Sequence, residues 1–426
     1  MTEVREATNS GTGRQTESEL AHWRLAAEAL TDLDAVAAPE AWQALEHYLQ
    51  RRVRDRLSEV VAVLVAEGRA LHRKLGDGGH PEEIRQAVLR LRTRYLQVET
   101  ILDFYGDAVN SRTNPALRSL LRGYDTLASD SMAAVLGRLG IESPPALVYL
   151  DRGLGAAILR AGIRLWDHSH PSPAAAIKLT RHNLAYPTAL LHETGHQVAH
   201  LTGWNAELAD ALAARLTPRS AEVAELWQGW AGELAGDVHA FAQAGWAPVA
   251  ALANVVDGPT SAVYRIRLGD PHPFPFLRVM FNVELCRAWF GAGPWDDVAD
   301  VWWQRHPLAQ ADGDVAALTR ASLAALPDVV DVCTRQRMAA FGGAPLSGLL
   351  DPRQVSPAAL RSLELQAGPS LLTSAYLRRR EPLRILAHLS TRAVLEPAAA
   401  ADHQARLLAW VTDVGADAAP RASHAA

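Results

Sequence analysis

The sequence predicts a mainly α-helical protein with a small β-sheet, an α+β fold. Long apolar stripes at three- and four-residue spacing run through the first third of the chain and again after residue 200. Between them, residues 146–180 hold three short apolar or alternating runs of the kind that form strands. At 426 residues the chain is long enough for a large core and for division into domains or subdomains.

Residues 1–17 are rich in Thr, Ser, Gly, Glu and Arg, have little to bury, and read as a disordered tail. A helical region over 18–145 follows. From about Trp42 the residues Leu45, Leu49, Val53, Leu57, Val60 and Leu64 mark one face of a long helix, which the glycines at 76, 78 and 79 end. Pro81 opens a second, with Ile84, Val88, Leu91, Tyr95, Val98, Leu102 and Tyr105 as its stripe, and Pro115 starts another. These stripes are packing faces and carry no candidate site.

Pro144 and Pro145 close this region. A core over 146–343 begins with strands at 146–150, 157–166 and 176–180. Helices are expected at about 188–202, at 206–216, over 220–256 with a break near Trp246 to Pro248, at 276–290 and from Pro294 onward. Gly342, Gly343 and Pro345 mark a boundary, after which 344–414 is helical and 415–426 is a second disordered tail.

Composition excludes several classes. A net charge of -5 speaks against a nucleic-acid-binding surface as the main function. Two cysteines, Cys286 and Cys333, cannot make a disulfide framework and read as buried thiols. The N-terminus lacks the apolar core of a signal peptide. No segment reaches the roughly 18 uncharged apolar residues of a membrane span, so the expected location is the cytoplasm.

The most informative stretch is His192, Glu193, Thr194, Gly195 and His196, on a helix that Pro187 opens and Gly203 closes. Four residues apart, His192 and His196 share one face about a turn from each other, the geometry for two nitrogen ligands of one Zn²⁺. Glu193 lies beside them as a candidate general base toward water at the metal.

A catalytic zinc needs a third protein ligand. A third histidine in the His-Glu-x-x-His-x-x-Gly-x-x-His pattern is ruled out by Ala199 and Thr202. His200, eight residues after His192, is rotated roughly 80° from it and reads as a packing or supporting residue. The other route is a glutamate with an aspartate one turn later, and Glu233 and Asp237 supply it. Glu233 is the expected ligand, and Asp237 the carboxylate that holds the outer nitrogen of a ligand histidine. Gly232 and Gly236 are costly inside a helix, and close approach of two helices around a metal would account for them.

The paired motifs resemble the gluzincin group of zinc metallopeptidases, over residues 185–241. The resemblance implies a zincin-like catalytic core flanked by helical regions. It also implies zinc on His192, His196 and Glu233, with Glu193 as base and Asp237 behind the ligands. In the helical members a histidine and a tyrosine beyond the glutamate helix stabilise the oxyanion, and His272 and Tyr264 are the candidates here, followed by Arg278. Arg181, His182 and Asn183, just before the zinc helix, are candidate contacts to a substrate backbone or terminus.

The expected function is therefore a zinc-dependent metallopeptidase acting on a peptide or protein, without nucleic acid or membrane. The helical regions are available to partner proteins. The alternative expectation is a zinc-binding helical interaction protein whose site is structural or vestigial.

Overall fold

Apolar residues three and four apart bury one face of each long helix in a computed structural model that describes residues 2–267 and 269–418, without the side chains of 2–12 and 81. The described chain divides into two compact units, one of 2–118 with 161–174 and one of 119–160 with 175–418. These borders differ from those expected near 145 and 343. Among the described residues no helix is long and apolar enough to cross a membrane.

The first unit is built on α1 (Thr2–Ala29), α2 (His47–Gly76) and α3 (Pro81–Asn110), with α1 packed on the other two. Leu49, Val53, Leu57, Val60 and Leu64 of α2 are buried as their spacing requires. The helix starts at His47 rather than near Trp42. Glu46 caps it, its carboxylate accepting from the backbone N–H groups of Tyr48 and Leu49 at 2.8 and 3.2 Å. α1 begins at Thr2, inside the segment expected to be a disordered tail. A shortage of apolar residues limits burial, but Glu, Arg and Ala still favour helical backbone locally. Segment 161–174 belongs with these helices because the Tyr105 and Ser172 hydroxyls hydrogen-bond at 2.8 Å and Phe104 packs on Trp166.

In the second unit α4 (Pro115–Leu136), which begins in the last residues of the first, leads to β1 (Ala146–Leu150), β2 (Ala157–Leu159) and β3 (Ala175–Leu179). The sheet order is β1-β3-β2, with β1 parallel and β2 antiparallel to β3. Its centre, β3, is almost wholly buried, as an apolar run covered on both faces should be. The alternation over 157–166 yields only a three-residue strand, because the chain turns at Gly162, φ +83°, and joins the first unit.

The principal helices that follow are α5 (Thr188–Thr202), α6 (Trp204–Leu216), α7 (Ala221–Gly229), α8 (Ala231–Ala244) and α9 (Trp246–Val256). After them come α10 (Pro275–Phe290), α11 (Pro294–Arg305), α12 (Gly313–Thr334), α13 (Pro357–Ala367), α14 (Pro382–Leu395) and α15 (Ala400–Asp417). The helix expected over 220–256 with one break near Trp246 to Pro248 has that break, and a further one at Trp230. The expected break falls at Gly245, φ +62°, where a side-chain Cβ would come within 2.4 Å of the Val355 carbonyl oxygen. α14 packs directly on α8, so the chain beyond residue 343 stays in the same unit. α15 continues to Asp417, past the start of the expected second tail; the rest of that tail, 419–426, lies outside the described residues.

Candidate metal centre

The centre is set by how closely α5 and α8 approach. α5 ends at Gly203, whose φ of +74° only glycine adopts at little cost. At Gly195 of α5 a Cβ would lie 2.8 Å from the His239 Cβ and 3.0 Å from the Gly236 Cα. At Gly236 of α8 it would lie 2.6 Å from the Cε1 of His192. These two glycines let the helices touch and leave the His192 ring the space it occupies. Gly232 has no such role, since a Cβ there meets only Asn205, at 3.9 Å.

Across this contact His192, His196 and Glu233 converge. The two Nε2 atoms are 3.0 Å apart, and the Glu233 carboxylate oxygens lie 3.4 Å from that of His192 and 3.5 Å from that of His196. Ligand bonds of about 2.0–2.1 Å around a tetrahedral zinc place neighbouring donor atoms roughly 3.4 Å apart. The three side chains thus fit a small divalent ion. Among the described residues no other group of three or more His, Cys, Asp or Glu offers such a cluster.

Behind the cluster, the Nδ1 of His192 lies 2.9 Å from Oδ1 of Asp237. Asp237 in turn accepts from Nε and Nη2 of Arg278 at 2.9 and 2.7 Å, and from the amide of Asn282 at 3.0 Å. Arg278 also donates to Glu233 at 3.2 Å. The four members of this network other than His192 are each at least nine-tenths buried. Burial opposes the charged form of Asp237, but Arg278 and the His192 hydrogen bond outweigh it and hold the carboxyl far below its ordinary range. Burial likewise opposes the charged form of Glu233, yet His192 and Arg278 bring it down to about 2.

The two imidazoles are pushed apart. Burial lowers His192, but hydrogen bonds to Asp237 and Glu233 raise it to about 10. Burial and the neighbouring His192 charge lower His196 to about 4. Without metal, the protonated His192 ring therefore donates from Nδ1 to Asp237 and from Nε2 to the neutral His196. The Nε2 proton occupies the place a cation would take.

One side of the cluster opens onto a cavity of about 200 Å³. Glu193 lines it while being only 6% exposed, and it makes no side-chain hydrogen bond to a described residue. Burial raises its carboxyl above the ordinary value. Apolar Pro248, Leu252, Val255 and Val256 form another part of the wall.

The other expected site residues divide. His272 reaches the cavity, with Nε2 3.3 Å from Glu233 and Nδ1 2.7 Å from Asp270. Tyr264 does not, which corrects its place in the expected site: its ring stacks on Phe276 and its hydroxyl donates to the His306 carbonyl at 2.8 Å. His200 is exposed and outside the cluster. Arg278, a secondary candidate in the sequence, and Asn282, which the sequence does not single out, both belong to the site. Two polar residues four apart within the apolar first half of α10 are the available signal. Comparison with protein families, characterised proteins and solved structures finds no match to this chain.

Proposed function

We propose that this protein is a zinc-dependent hydrolase of peptide bonds with a zincin-like core. The observation that carries the reading is a three-donor cluster that opens on one side to a cavity in which a buried carboxylate, Glu193, makes no side-chain hydrogen bond to a described residue. A structural zinc site is closed by four protein ligands, whereas a catalytic one keeps a position for water or substrate. This favours an enzyme over an interaction protein with a structural ion.

His192, His196 and Glu233 would hold the ion, and Asp237 would fix the His192 ring and its tautomer. Bound zinc supplies Lewis acidity, polarising a carbonyl and lowering the pKa of water. Glu193, raised by burial, takes the proton of the attacking water on its carboxylate and delivers it to the leaving amine. His272, at the cavity wall, donates from its ring to the developing oxyanion. The apolar wall excludes water from the other side of the bound chain.

The test is metal content and peptide cleavage measured together. The expected result is one zinc per chain, lost in His196→Ala, and cleavage abolished by Glu193→Gln with zinc retained. A parent protein that holds zinc and cleaves no peptide in a diverse library would rule the reading out.

A further inference from the structure

The cavity adjoins two further pockets, and each is lined by two exposed arginines that make no ion pair among the described residues. The first lies at the carboxyl ends of the parallel strands β1 and β3, a position where open sheets present ligand crevices. It is bordered by Arg152 and Arg181, and its lining residues Gly153 and His182 are next in sequence to Leu154 and Asn183 of the metal cavity. The second shares Val256, His272 and Arg278 with that cavity and adds Arg265 and Arg267.

Each pocket has one carboxylate, already engaged. Asp151 accepts the backbone N–H of Arg152 at 2.7 Å, and Asp270 is bonded to His272. Arg267 acts on Asp270 only at longer range. Among the described residues none of the four exposed arginines makes an ion pair. The chain as a whole carries -5, so these pockets depart from its general field rather than reflect it. A planar guanidinium presents a fork of donors that matches a carboxylate. In the metal cavity that both pockets adjoin, Leu252 and Val255 offer an apolar surface.

We infer that the site takes acidic peptides, with carboxylates seated on Arg152 and Arg181 and on Arg265 and Arg267 around an apolar residue at the cavity. The inference rests on the proposed peptide-hydrolysing function, of which it names the substrate class. The carboxylates come from Asp or Glu side chains or from a free C-terminus.

The experiment measures binding, so it does not depend on turnover. Zinc-loaded full-length Glu193→Gln is titrated into fluorescent nonapeptides with Glu at the flanking positions and a central Leu, and into their Gln twins. Each is made as the free acid and as the C-terminal amide. The expected result is that acidic peptides bind about tenfold tighter at low salt, an advantage that shrinks as salt rises. Arg152→Gln with Arg181→Gln, and Arg265→Gln with Arg267→Gln, should each remove about threefold of it without loss of zinc. A loss confined to the amides assigns the terminal carboxylate, and a loss confined to the Gln twins assigns side chains. Equal binding of acidic and neutral peptides by the parent site, or binding of neither, overturns the inference. Cleavage of neutral peptides by the parent enzyme would then show that the peptidase reading survives without it.

Discussion

The Nδ1 of His192 sits 2.9 Å from Oδ1 of Asp237, so one buried carboxylate fixes the ring of a candidate metal ligand from behind. Asp237 is the joint between the two helices and α10, because the same carboxylate accepts from Arg278 and Asn282. Asp237→Asn keeps the shape and removes the charge. Zinc affinity should fall by about 10- to 100-fold, measured by competition with a chelator.

The two glycines of α8 make a paired test. Gly236→Ala drives a Cβ into the His192 ring at 2.6 Å and should abolish stoichiometric zinc binding. Gly232→Ala meets only Asn205 at 3.9 Å, so it should retain zinc. It should also stabilise the fold by about 0.5–1 kcal/mol, since alanine is the better helix former. Thermal melts with metal analysis of both variants separate the two roles.

Arg278 neutralises two buried carboxylates, Asp237 and Glu233. Arg278→Met removes the guanidinium they share, and breaking a buried pair from one side costs about 3–5 kcal/mol. Bound zinc would supply positive charge at Glu233, so the loss in denaturant midpoint should be smaller in the zinc-loaded protein than in the metal-free one.

The His192 proton sets the pH dependence. Its pKa in the folded, metal-free protein is raised to about 10 from 6.5. The stability this group contributes is therefore fully present below pH 6.5 and is lost as pH rises toward 10. Zinc must displace the same proton. Its affinity should rise about tenfold per pH unit within that window, the slope of a one-proton exchange. Calorimetry in buffers of different ionisation enthalpy should report about one proton released per zinc.

Much of this was legible because helical periodicity is local. The stripe of α2 and the spacing of His192 to His196 and of Glu233 to Asp237 each fix a shared face within one helix. What brings the two pairs together is not local. Gly195 and Gly236 show as glycines in a helix, but only the packing reveals that each Cβ would strike the opposite helix. Tyr264 was misplaced for the same reason. Its distance along the chain suited the site, while its hydroxyl had a buried carbonyl, that of His306, to satisfy. The three-residue β2 likewise depends on contacts with residues far along the chain.

The most direct test compares zinc-loaded parent protein and zinc-loaded Glu193→Gln on one peptide library, with cleavage products read by mass spectrometry. The account expects cleavage by the parent, at least a hundredfold less by the variant by the order of magnitude of a lost general base, and equal zinc in both. Cleavage by Glu193→Gln at the parent's rate would contradict it.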